Sequence, residues 1–164
     1  MAKRLVATTV VALALCACSS RQPQAESASA ESSSPKEASP LDAPLPSFSQ
    51  DIQSTVKSLS LKRGEKTLVP ITIHNIEPTI LATIGKDPIT ISYKWFDHGK
   101  MLPIEGERTG LPVLKPGESV DVNANVVAPD TPGDMVLKIT LVQEGVTWFM
   151  TAGAKSLELP VTVH

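Results

Sequence analysis

At 164 residues, the chain has room for one domain of ordinary size plus extensions. Its 15 basic residues against 17 acidic leave a formal net charge of −2, and no block of like charge occurs, which argues against a nucleic-acid stripe or a nucleic-acid partner. Sparse aromatics (4%) and 14 prolines suit a β-rich domain with many turns; both cysteines fall within the first 18 residues, so the body holds neither a disulfide nor thiol chemistry.

The chain opens with Lys3 and Arg4 and continues in an apolar run over residues 5–15. A spanning helix needs about 20 apolar residues, so this run reads as the hydrophobic region of an export signal. It ends at Leu15-Cys16-Ala17-Cys18. These residues resemble the lipobox of bacterial lipoproteins: ahead of Cys18 stand an apolar residue at −3 and a small one at −1, whereas Cys16 follows bulky Leu15. The plain alternative is an ordinary signal peptide with two incidental cysteines. The resemblance implies a signal peptide over residues 1–17 and lipidation at Cys18, as a diacylglyceryl thioether with an amide-linked acyl chain such as palmitate. Several acyl chains anchor a protein to a membrane stably where one does not. Ser19, where lipoproteins kept at the inner membrane commonly carry Asp, implies the outer membrane of a two-membrane host, with the domain on its periplasmic or surface face. Loss of Lys3 and Arg4 with the signal would leave 13 basic against 17 acidic residues, or −4.

Residues 18–47 form the lipidated N-terminus and a Ser/Pro/Ala-rich linker. So few large apolar side chains cannot offset the entropy of ordering, which predicts a disordered tether. By the scaling of flexible linkers its ends would lie about 30 Å apart.

From residue 48 to 164 the pattern changes to period two, the signature of strands with one buried face. Val69, Ile71 and Ile73 alternate with polar or turn-forming neighbours; so do Ile89, Ile91, Tyr93 and Trp95; then Val120, Val122, Ala124 and Val126; Leu137, Ile139 and Leu141; and Leu157, Leu159, Val161 and Val163. Glycine and proline punctuate the gaps at Lys62-Arg63-Gly64-Glu65, His98-Gly99-Lys100, Lys115-Pro116-Gly117-Glu118 and Pro129-Asp130-Thr131-Pro132-Gly133. With weaker strands near residues 55–61 and 101–105, this makes about seven strands and no amphipathic helix. The fold expected is all-β: an Ig-like antiparallel β-sandwich closed by apolar burial around Trp95 and Tyr93.

Several stretches recur in a characteristic order: Ile91-Ser92-Tyr93-Lys94-Trp95-Phe96-Asp97, Arg108-Thr109-Gly110-Leu111-Pro112, Pro116-Gly117-Glu118, Ala128-Pro129-Asp130-Thr131-Pro132-Gly133 and Leu141-Val142-Gln143-Glu144-Gly145-Val146-Thr147-Trp148-Phe149. Together they resemble an Ig-like module found in bacterial envelope proteins and as an appendage of glycan-related enzymes. The likeness covers most of residues 66–164. It departs at Asn75-Ile76-Glu77, where the module has Asn-Thr-Gly followed by Trp. It implies the fold and leaves function open, because such modules are accessories.

No catalytic set is legible, and no metal or other cofactor is expected. His74, His98 and His164 lie far apart and without ligand spacing. No nucleophile elbow, phosphate loop or dinucleotide fingerprint occurs. Glu105 and Glu107 lie two apart, but paired acid/base carboxylates need a cleft, and beside Arg108 they read as a charge-balanced edge. Met101, Met135 and Met150 are too scattered for a copper site.

One end of the sandwich draws attention. Residues 76–88 and 145–154 would share a pole of an Ig-like fold. The first carries Ile76, Ile80, Leu81 and Ile84, and the second Trp148-Phe149-Met150. Ile80, Leu81, Trp148 and Phe149 are therefore candidate binding residues, with Trp148 as a stacking platform. The competing reading is a loop that folds back and caps the core. Adjacent residues of an extended chain face opposite ways, so Trp148 and Phe149 cannot both enter one core. The function expected is a non-catalytic, membrane-anchored envelope lipoprotein presenting an Ig-like domain for protein contacts or envelope assembly. The alternative is a lectin-like, carbohydrate-binding module recognising envelope polysaccharide.

Overall fold

A computed structural model describes residues 40–42 and 45–164. Cys18, the stretch read as a signal peptide and most of the range read as a linker lie outside the described residues. The period-two segments are the long strands: β3 (Lys66–His74), β4 (Ile89–Asp97), β7 (Ser119–Val127), β8 (Gly133–Gln143) and β10 (Leu157–Val163). Five short strands of two or three residues join them: β1 (Asp51–Gln53), β2 (Leu59–Leu61), β5 (Lys100–Met101), β6 (Thr109–Gly110) and β9 (Thr147–Trp148). The weak strand expected over 55–61 contracts to β2, and the one over 101–105 to β5. A three-residue strand holds too few alternations to show a period, so β1, β6 and β9 leave no sequence signal.

β1-β3-β7 form one sheet and β2-β10-β8-β4-β5 the other, with β6 on β4 and β9 on β8. The pairing is antiparallel except at β2, which runs parallel to β10, from Leu59 opposite Val161 to Leu61 opposite Val163. The first strand thus switches sheets, β1 lying on β3 and β2 on β10. With β4 as the third core strand and its tryptophan buried between the layers, this is an Ig-like β-sandwich.

Alternation decides what enters the core. Val69, Ile71 and Ile73 meet Ile89, Ile91, Tyr93, Trp95, Leu137, Ile139 and Leu141, all buried. Trp95 and Tyr93 bring polar atoms with them, and both are satisfied at one residue of the opposing sheet. Trp95 Nε1 donates to the Val127 carbonyl at 3.1 Å, and the Val127 amide donates to Tyr93 Oη at 2.9 Å. Between β4 and β5, His98 (φ 45°) and Gly99 (φ 81°) are both left-handed, as a two-residue type I′ hairpin requires.

Residues just ahead of β1 are part of this body. Leu45 and Phe48 pack on the core. Phe48 meets Phe149 edge-on, with centroids 5.4 Å apart. Gln50 is buried, accepting from the Leu141 amide (2.7 Å) and Thr140 Oγ1 (3.0 Å) and donating to the Lys155 carbonyl (3.0 Å). Its amide takes over where β10 stops, since the β8–β10 ladder ends at Ile139 opposite Leu157. Within the range read as linker, Asp42 accepts from the Lys86 amide at 2.9 Å, Leu45 packs on the core and Ser47 donates to Glu77.

Candidate interaction surfaces

The loops of residues 75–88 and 144–156 do share a pole, where the Glu144 amide donates to the Pro88 carbonyl at 2.9 Å. Two of the four residues singled out there are unavailable to any ligand. Leu81 and Phe149 are fully buried. Leu81 is held by reciprocal backbone bonds with Leu114, at 3.0 and 2.8 Å, and Phe149 lies under Phe48. Ile80 is partly exposed and borders a hollow with Ala82, Ile84 and Ile89. Leu41 and Leu45 close that hollow to about 10 Å³, at the lower limit for one water. The chain's own N-terminal segment thus covers part of this apolar loop, while Ile76 and Ile84 remain 48% and 55% exposed.

The Asn75-Ile76-Glu77 departure acquires a structural role here. Asn75 Nδ2 donates to the carbonyls of Thr79 and Leu114, both at 2.9 Å, and its Oδ1 accepts from the Glu77 amide at 2.9 Å. Glu77 is turned inward and 1% exposed. Its Oε1 accepts from Ser47 Oγ at 3.0 Å and from the Ser49 amide, clamping the N-terminal segment to the pole. Glu77 Oε2 and Thr79 Oγ1 are buried without a partner. Sequence reasoning found the odd tripeptide but not its use, because a glutamate in a loop ordinarily faces water.

Trp148 lies elsewhere, on the outward face of the larger sheet, opposite Val142 and partly exposed. Two cations stand over it: Lys94 Nζ is 4.2 Å and the Arg108 guanidinium carbon 4.9 Å from the ring centroid. Glu105 joins them, bonding Lys94 at 2.7 Å and Arg108 at 3.0 Å, and Glu144 takes Arg108 Nε at 2.8 Å. Arg108 also donates to Ser92 Oγ (3.1 Å) and the Gly106 carbonyl (2.9 Å). Glu107 instead pairs with Lys66 at 3.1 Å, so the two carboxylates at 105 and 107 do not converge. Among the described residues, no group of three or more His, Cys, Asp or Glu is placed to hold a metal. The histidines contact separate partners: His74 with Ser119, His98 with Asp97 and His164 with Ser60.

The network has an acid signature. The hydrogen bond from Lys94 leads in holding Glu105 below the usual carboxylate range, against partial burial and with help from Arg108. For Glu144, burial works upward, but the hydrogen bonds from Thr90 and Arg108 outweigh it and the carboxyl also sits low. A carboxyl whose folded value is depressed contributes stability above its unfolded value, and loses it as pH falls through the folded one. Urea midpoints should therefore fall from about pH 5 downward. In a Glu105→Gln, Glu144→Gln double variant that fall should be shallower; an identical pH profile would remove the network as its cause.

No protein-family model matches the chain, and no curated protein matches it significantly. Among solved structures, it is similar to part of a β-glucosidase from Listeria innocua, with 16% identity over 70% of this chain and a TM-score of 0.43. The chain spans about 16% of that enzyme's length. It is also similar to a CARDB domain from Pyrococcus furiosus (11% identity, 71% of this chain, 94% of that one, TM-score 0.38). A Niemann-Pick type C2 protein from the Japanese carpenter ant gives 10% identity over 70% of this chain and 89% of its own, with a TM-score of 0.41. At such scores these likenesses carry no inference about activity; the two sheets themselves define the fold.

Proposed function

We propose that the chain is a non-catalytic lipoprotein of the cell envelope, anchored at Cys18, that presents its Ig-like sandwich for contacts with other envelope proteins. The observation that carries this reading is the way the tether is rooted. The segment leading from the N-terminus is not hung on the surface: Leu45, Phe48 and Gln50 enter the body, and the Glu77 carboxylate clamps Ser47 and Ser49. A pull through the linker is thereby carried by both sheets, which suits a domain held by its N-terminus against a membrane. A protein partner is favoured over a polysaccharide because the Trp148 ring is already engaged by Lys94 and Arg108. A sugar stacking there would have to displace paired charges.

Expression of the full chain with a clickable palmitate analogue tests the anchor. The mature protein should carry label, fractionate with membranes and begin at Cys18; Cys18→Ala should lose the label and appear in the soluble fraction. An unlabelled mature chain beginning elsewhere than Cys18 would overturn the proposal.

A further inference from the structure

Outward residues of four neighbouring strands stand in register as an apolar stripe across the larger sheet. Met101 of β5 is opposite Phe96 of β4, Phe96 is opposite Val136 of β8, and Val136 is opposite Pro160 of β10. Met101 is 52% exposed, Pro160 is exposed, and Phe96 and Val136 are partly so. Charged rows flank the stripe. On one side Lys94, Lys138 and Glu158 lie abreast, with Lys138 bonded to Glu158 at 2.7 Å and 4.7 Å above the Phe96 ring. On the other side Asp134 stands opposite Thr162 and accepts its hydroxyl at 2.7 Å.

We infer that this face binds the same face of a second copy of the chain. Lys138 and Asp134 lie on β8 two residues either side of Val136, on the same outward face. A two-fold axis along the stripe sets each stripe residue against its own counterpart. It also carries Lys138 of one copy over Asp134 of the other, twice by symmetry. Such an isologous contact sets apolar residues against apolar ones and Lys138 against Asp134, and two sheets stacked this way can take the aligned packing of a sandwich. An axis along the strands would instead set Lys138 on Lys138. Four strands about 4.8 Å apart with three outward rows about 7 Å apart give a footprint of about 400 Å² per copy. The two copies together would bury about 800 Å², below what stable complexes bury, so the contact is weak and reversible. The inference names a partner that the anchoring proposal leaves open, and it does not depend on the lipid.

The test uses the full chain with Cys16 and Cys18 replaced by serine and one new cysteine, treated with a short bismaleimide. Val136→Cys should give dimer in a concentration-dependent manner, several-fold above Asn123→Cys on the exposed face of the other sheet. Adding Lys138→Glu should lower that yield about tenfold, because two surface attractions become repulsions. Adding Asp134→Lys to Lys138→Glu should restore it, although the bond to Glu158 stays broken. Equal yields at Val136 and Asn123, or no rescue by the double reversal in variants that melt like the parent, would overturn the inference.

Discussion

Trp95→Ala is expected to unfold the domain or leave it barely stable. Trp95 is fully buried on β4, between the two sheets and 6.2 Å from the Tyr93 ring, edge to face. Truncating a buried tryptophan costs about 3–5 kcal/mol in transfer and cavity terms. Here the Val127 carbonyl also loses the indole N–H that satisfies it, adding about 1 kcal/mol. Against a total of about 5–15 kcal/mol for a domain, that is a large share. A urea titration should show the midpoint collapse, and a melt should show Tm lower by more than about 10 °C. Trp95→Phe, which keeps an aromatic ring in place, should lose distinctly less. A Trp95→Ala protein melting like the parent would mean that the sheets do not close on β4.

The second large effect is expected at Gly106, and its cause is contact rather than backbone freedom. Its φ is not left-handed, so alanine is conformationally allowed. A Cβ there, however, would lie 2.3 Å from the Tyr93 carbonyl oxygen and 2.9 Å from the Tyr93 amide nitrogen and from Ser92 Oγ. Tyr93 and Ser92 sit in the middle of β4, paired to Ile139 and Thr140 of β8, so they cannot yield. The segment carrying Gly106 must move instead, and its carbonyl then leaves Ser92 Oγ and Arg108. Overpacking of this kind costs about 3 kcal/mol. Gly110→Ala is the matched control: its nearest contact would be Thr83 Oγ1 at 3.8 Å, and its φ is ordinary, so stability should barely change. Equal melting of the two variants would refute the close approach.

The long strands were readable because burial on one face of a pleated chain imposes period two, and β3, β4, β7, β8 and β10 are long enough to display it. Reading Trp95 and Tyr93 as core followed from the same alternation. Among the pole residues the sequence could not choose. Leu81 and Phe149 are as apolar as a binding residue or a core residue would be, and only tertiary contacts, Leu81 with Leu114 and Phe149 with Phe48, show them in the core. Trp148 had a partner problem of another kind: Lys94, Arg108 and Glu144 lie 54, 40 and 4 residues from it in the chain, and no local pattern joins them.

Composition, alternation and turn residues, each a property of short stretches, were enough to determine an all-β body with a tryptophan at its centre and a cysteine-free interior. What the tertiary structure alone decided is where Leu45, Phe48 and Gln50 dock, why Glu77 is buried, and which outward residues of β5, β4, β8 and β10 come abreast. Those are relations between segments far apart in the chain. Their energies come from sheet register and from burial of one segment by another, and neither exists until the sheets have formed.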